Sequence, residues 1–78
     1  MQMTAHDKEV LERLGFRFDG LLFYFKKKQS CELSFCVSDL DIIVLRRMYS
    51  FWGEVTEDKY PQWVKNDLAE LRREGVVK

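Results

Sequence analysis

The chain has 78 residues, of which 46% are hydrophobic and 14% aromatic, and its 13 basic and 13 acidic residues cancel at neutral pH. A disordered chain would be poor in aromatic residues and would carry a large net charge, so we expect one small folded domain over residues 1–78. The zero net charge excludes an overall field that would attract nucleic acid or a membrane. No apolar run approaches the roughly 18 residues that span a bilayer, and the N-terminus lacks a signal-peptide pattern, so we expect no membrane partner.

The first predicted element is a short helix within TAHDKEVLERLG, residues 4–15. Thr4 suits the N-cap and Gly15 is a typical terminator. The apolar side of this helix carries Val10, Leu11 and Leu14. The next stretch, FRFDG, offers a short third strand beside the hairpin that follows, and its Asp-Gly pair is typical of a turn.

A β-hairpin is predicted over residues 20–38, GLLFYFKKKQSCELSFCVS. A loop of residues 28–30 places Lys26 opposite Glu32, where unlike charges on neighbouring strands attract. In this register one face, expected to form the core side, carries Leu21, Phe23, Phe25, Leu33, Phe35 and Val37. The reverse face carries Leu22, Tyr24 and Cys36. We expect this reverse face to be covered by the N-terminal helix or by a partner, a second copy of the chain included.

Two helices are predicted after the hairpin. SDLD, residues 38–41, is close to a capping box, and the helix that it begins runs to Trp52 with apolar residues over an arc of roughly 200°. The last helix begins at Pro61, ends at Gly75 and has a narrow apolar stripe of Val64, Leu68 and Leu71. The predicted fold is therefore α+β: a short N-terminal helix, an antiparallel hairpin or three short strands, and two helices packed on one face of the sheet.

The residues that carry most enzyme chemistry are scarce. His6 is the only histidine and lies in a terminal segment, so we expect a surface residue and not a ligand. Cys31 and Cys36 are five residues apart on one predicted strand, roughly 17 Å, which is beyond the reach of a disulfide. Two free thiols are typical of the reducing cytoplasm. We expect no catalytic residue, no metal site and no cofactor, and a protein that is not an enzyme.

The predicted fold carries more apolar and aromatic surface than its helices and hairpin need to bury. Exposed area of this kind marks interaction sites, and Tyr, Trp and Arg are enriched at binding hot spots, although each such side chain has burial in a small core as its alternative. The predicted partner-binding residues are Leu22, Tyr24, Arg46, Arg47, Tyr49, Trp52 and Trp63. We therefore expect a small module that binds another protein as an inhibitor, adaptor or regulatory subunit, in the manner of anti-CRISPR or anti-restriction proteins of mobile elements. A homodimer is one form of this prediction.

Nucleic-acid binding is the alternative function. The stretches LDIIVLRRMYSFWGE and WVKNDLAELRREGVVK resemble the core of winged-helix regulators, whose recognition helix ends in Leu-x-x-Leu followed by Gly-Val; Leu68, Leu71, Gly75 and Val76 match that ending. The segment between the helices is shorter than the second helix of that family. In this alternative, the last helix and the lysine-rich hairpin tip contact phosphates through Lys26, Lys27, Lys28, Lys65, Arg72 and Arg73. The lysine run also has a structural explanation, because charged residues protect strands from aggregation.

Overall fold

The computed structural model describes residues 3–47 and 56–78. In chain order these residues form helix α1 (Ala5–Arg13), strands β1 (Arg17–Phe18), β2 (Phe23–Lys28), β3 (Cys31–Cys36) and β4 (Asp39–Arg47), a 3-10 turn (Glu57–Lys59) and helix α2 (Gln62–Arg73). The strands make one antiparallel sheet in the order β1-β2-β3-β4. The predicted α+β class is confirmed, and the short third strand expected in FRF is β1.

The N-terminal helix forms as the sequence predicts. Thr4 is the N-cap: its hydroxyl accepts the N–H of Asp7, and the Asp7 carboxylate accepts the N–H of Thr4. Gly15 follows the helix with a φ of +96°, a conformation that glycine adopts without strain. Val10 and Leu11 are buried, so the predicted apolar side attaches α1 to the core.

The β2–β3 hairpin differs from the prediction by one residue. Gln29 and Ser30 alone form the turn, with φ of 52° and 63°. Lys27 therefore opposes Glu32, and the predicted pairing of Lys26 with Glu32 is wrong. Positive φ at both turn residues matches the right-handed twist of the strands, which favours a two-residue turn even without Asn or Gly.

This shift of one residue exchanges the two faces of β2. Tyr24 lies in the core with Leu33 and Phe35, so its expected place on the face opposite the core is wrong. Phe23 and Phe25 lie on that opposite face, although they were expected on the core side. The aromatic residues of LLFYF are thus divided between a buried face and an open one.

The segment after β3 is a strand, so the helix predicted to begin at residue 38 is wrong for residues 39–47. Residues 48–52 of that prediction lie outside the described residues. The β-branched run at residues 42–44 favours a strand, and β3 supplies a complete hydrogen-bonding edge. Pairing with β3 therefore overrides the helical spacing of the apolar residues.

Helix α2 packs on the same face of the sheet as α1. Its stripe is buried as predicted, and a Schellman motif ends it: Gly75 donates to the Arg72 carbonyl, and Val76 donates to the Leu71 carbonyl. Pro61 is the N-cap residue instead of the first helical residue. The core joins both helices to β2 and β3, and its members are Val10, Leu11, Phe16, Tyr24, Cys31, Leu33, Phe35, Trp63, Val64, Leu68, Leu71, Val76 and Val77.

Candidate functional site

Two of the predicted partner-binding residues belong to the core. Tyr24 is 3% exposed and Trp63 is 7% exposed. The Trp63 ring packs under the ammonium group of Lys26, with 5.4 Å between Nζ and the ring centroid. These two side chains are therefore part of the core, which is the alternative already expected for aromatic residues in a small domain.

The remaining predicted residues do not form one surface. Leu22 is exposed beside the start of β2. Arg46 and Arg47 are exposed on β4 at the other end of the sheet, where Arg46 lies opposite Glu32 of β3 in the strand register. Tyr49 and Trp52 lie outside the described residues. Of the predicted set, Leu22, Arg46 and Arg47 are therefore on the described surface.

The exposed large apolar residues of the described chain are concentrated in one loop. Leu21 is 85% exposed, Phe18 is 49% exposed and Leu22 is 44% exposed, and only Ile42 on β4 is comparable at 50%. We call residues 18–22, which are the last residue of β1 and the loop that leads to β2, the apolar loop. Sequence reasoning found its Asp-Gly turn and named Leu22, but an assumed register counted Leu21 as a core residue.

The backbone of the apolar loop is hydrogen-bonded to the side chain of Asp19. Its Oδ1 accepts the backbone N–H groups of Leu21 at 2.8 Å, Leu22 at 2.9 Å and Phe23 at 3.1 Å. These hydrogen bonds, that of Leu21 foremost, hold the pKa of the Asp19 carboxyl below its ordinary value of 3.8. The Leu22 carbonyl also accepts the N–H of Val37 at 2.8 Å, so both ends of the loop are attached to the sheet.

A groove of about 230 Å³ borders the apolar loop where it approaches the start of α1. We call it the edge groove; it is lined by Met3, Lys8, Phe18, Tyr24 and Val37. The rings of Phe18 and Tyr24 stack with centroids 5.4 Å apart, which fixes Phe18 at the rim. Tyr24 therefore contributes to the wall of a surface groove, although little of it is exposed.

The face of the sheet opposite the core, here called the open face, is arranged in three rows across the strands. The loop-end row contains Asp19, Phe23, Cys36 and Asp39. The middle row contains Arg17, Phe25, Ser34 and Val44, and the hairpin-end row contains Lys27, Glu32 and Arg46. Residues 40–42 bulge from β4 between the first two rows, because the register shifts there.

A shallow cavity of about 250 Å³ lies on the open face, with Phe23, Phe25 and Val44 as its apolar part. These three residues belong neither to the core nor to the partly buried apolar residues that pack against it. Charged side chains from both ends complete the lining: Asp19, Lys27, Glu32 and Arg46. The described part of the chain thus has two concave surfaces that combine apolar and charged side chains: the edge groove beside the apolar loop, and the cavity on the open face.

The cations proposed for nucleic-acid binding are mostly engaged within the chain. Lys26 Nζ donates to Asp67 Oδ2 and to the Leu14 carbonyl, both at 2.7 Å. The other engaged cations are Lys27 with Glu32, Arg72 with Glu57, and Arg73 with Glu70. Lys28 and Lys65 remain, one at the hairpin tip and one on α2. Residues 40–47 of the first helix in the winged-helix resemblance lie in strand β4, so a helix over these residues is wrong, and the rest of that stretch lies outside the described residues.

The groups that carry metal or thiol chemistry are dispersed. Among residues 3–47 and 56–78, no three His, Cys, Asp or Glu side chains are placed to hold a metal ion. His6 is exposed, and its Nε2 lies 3.0 Å from the Glu74 carbonyl. Cys31 and Cys36 are unpaired thiols, as the spacing predicts. A hydrogen bond with the Ser38 side chain lowers the pKa of Cys36, whose Sγ lies 3.1 Å from that hydroxyl.

No helix in the described ranges has the length and apolar character needed to cross a membrane. No protein-family model, curated protein or solved structure matches the chain. The function therefore has to be inferred from the geometry of the fold.

Proposed function

We propose that the chain is a small non-enzymatic module that binds another protein through the apolar loop. The observation that carries this proposal is the combination of exposure and rigidity. Phe18, Leu21 and Leu22 are exposed on a loop that one carboxylate, that of Asp19, holds by three backbone hydrogen bonds. Exposed apolar side chains on an ordered loop are typical of an interaction site.

The energetics favour this loop as an anchor. Burial of a leucine side chain that starts fully exposed stabilises a complex by roughly 1.5–3 kcal/mol. A flexible loop would lose part of that gain when it became ordered, whereas a loop that is already fixed keeps it. Leu21, at 85% exposure, has the most area to bury and is the expected centre of the interface.

The surroundings of the loop indicate the chemistry of the partner. A pocket that receives Leu21 and Leu22 has to be apolar, and the edge groove beside Phe18 accepts an apolar side chain in return. Lys8 lines that groove, and Arg17 precedes the loop as an exposed cation. We therefore propose a protein partner with an apolar pocket and carboxylates at its rim.

A rigid loop that inserts into a pocket suits an inhibitor, an adaptor or a regulatory subunit, and the proposal does not choose among these. The two unpaired cysteines support a cytoplasmic location. Nucleic-acid binding has weaker support, because four of its six proposed cations already pair with carboxylates of the same chain.

The proposal is tested by affinity capture from the cell that makes the protein, followed by identification of the captured protein. Leu21→Ser combined with Leu22→Ser removes the anchor, and Ile42→Ser is the matched control because Ile42 on β4 is about as exposed as Leu22. We expect capture of one protein by the wild type and the control, and its loss with the double variant. Equal capture by all three would reject the apolar loop as the binding surface.

A further inference from the structure

We propose that the open face binds a second copy of this chain, sheet against sheet. Phe23, Phe25 and Val44 form an apolar strip on this face, and they contact neither helix through the core. Two sheets pack face to face about 10 Å apart through apolar side chains of this kind. This surface is different from the apolar loop, so the inference does not rest on the proposed protein partner.

The charges on the open face are separated along the strands. Asp19 and Asp39 lie in the loop-end row and have no basic neighbour within it. Lys27 and Arg46 lie in the hairpin-end row and flank the single carboxylate of Glu32. The two rows are four residues apart along β2, which is roughly 13 Å. One end of the face is therefore acidic, and the other has an excess of basic side chains.

This separation makes the open face complementary to itself. If a second copy is turned end over end about an axis across the strands, the acidic end of each copy lies over the basic end of the other. In that arrangement Asp39 faces the partner's Arg46, and Phe25 and Val44 of the middle row face their own counterparts, as Arg17 does at the outer edge of the sheet. Such a two-fold interface uses the same patch on both chains, with an apolar centre and charged ends.

The acidic end of the open face disfavours the other two-fold arrangement. Rotation about an axis along the strands places β1 over the partner's β4, so Asp39 would lie over the partner's Asp19, although Lys27 would lie over the partner's Glu32. Like charges brought together in an interface oppose binding. The charges on the open face therefore favour the end-over-end dimer. This dimer leaves Leu21 at the outer end of each copy, available for another protein.

The experiment is sedimentation equilibrium with charge-reversed variants. We expect the wild type to form a dimer with a dissociation constant on the order of micromolar, as for smaller specific interfaces. Arg46→Asp alone and Asp39→Arg alone should each raise that constant at least about tenfold, since both place like charges opposite each other. An equimolar mixture of the two variants should form a heterodimer of near wild-type affinity, because the side chains at positions 39 and 46 again face each other with opposite charges.

The mixture distinguishes a facing contact from a general loss of fold, and circular dichroism of each variant verifies folding. Glu9→Lys on α1 is the control reversal outside the open face, and it should leave the dissociation constant unchanged. A wild type that stays monomeric up to about millimolar concentration would overturn the proposal. A mixture as weakly associated as the separate variants would do the same. So would binding of a foreign protein or of nucleic acid to a monomer, abolished by Val44→Asp.

Discussion

At the scale of single residues, Asp19 determines the shape of the apolar loop. One carboxylate oxygen accepts three successive backbone N–H groups, those of Leu21, Leu22 and Phe23. These groups would otherwise need water, and water-bound amides would leave the loop free to adopt several conformations. The rigidity of the loop thus depends on one side chain in its ionised form.

This dependence predicts a response to pH. The pKa of Asp19 is lowered in the folded protein, so its contribution is present above the ordinary value of 3.8 and is lost as the pH falls through the lowered pKa. NMR spectra recorded from about pH 6 to about pH 2 should show the amide signals of Leu21, Leu22 and Phe23 shifting together at the acidic end. In Asp19→Asn that joint shift should be absent. Its persistence in the Asn variant would mean that another group orders the loop.

At the scale of elements, Lys26 and Asp67 connect β2 to α2. The Lys26 ammonium donates to the Asp67 carboxylate and to the carbonyl of Leu14, the C-cap residue of α1. It also lies over the rings of Phe16 and Trp63. A partly buried charge pair of this kind contributes little compared with apolar packing, but removal of one member leaves the other without its partner. The pair therefore fixes how the helices sit on the sheet.

We expect Asp67→Leu and Lys26→Met each to lower the free energy of unfolding by about 2 kcal/mol, which allows for the partial exposure of the pair. The combined Lys26→Met and Asp67→Leu variant should lose less than either single variant, because neither charge is left unpaired. Urea unfolding of the four proteins gives this comparison. Strict additivity of the single losses would show that the two side chains are not coupled.

The β2–β3 turn predicts a stabilising change at the same scale. Gln29 and Ser30 both have positive φ, which suits Asn followed by Gly. Gln29→Asn with Ser30→Gly should raise the free energy of unfolding by about 1 kcal/mol, measured by urea unfolding. Ser30→Val is the control of opposite sign, because a β-branched residue is strained at this φ. A loss of stability in the first variant would contradict the two-residue turn.

The helices and the sheet differ in how far the sequence predicts them. Both terminal helices follow from local signals, such as the Thr4 cap and the Gly75 terminator, and these signals act within a few residues. The register of the hairpin depends on whether its loop has two or three residues. The residues around Lys26 do not indicate that its ammonium group contacts the carboxylate of Asp67, 41 positions away. Strand β4 forms by pairing with the edge of β3, and the periodicity of residues 39–47 alone does not indicate this pairing.

At the scale of the whole molecule, both helices pack on one face of the sheet, and no helix of residues 3–47 and 56–78 packs on the other face. The sequence predicts surplus apolar area correctly in kind, since Leu22 is exposed, but it assigns part of that area to Tyr24 and Trp63. Tyr24 is buried because the faces of β2 are exchanged, whereas Trp63 is buried with the apolar stripe of α2. The shift of register therefore explains the positions of Tyr24, Phe23 and Phe25, but not the burial of Trp63.

The most direct test of the account is the affinity of the captured protein for the purified wild type and for Leu21→Ser, measured by calorimetry at about 50 and 200 mM salt. The account predicts at least about tenfold weaker binding for Leu21→Ser and little change with salt, because a buried leucine anchors the complex. Equal affinity of the two proteins, together with steep weakening as salt is added, would contradict it and would indicate a binding surface made of charges.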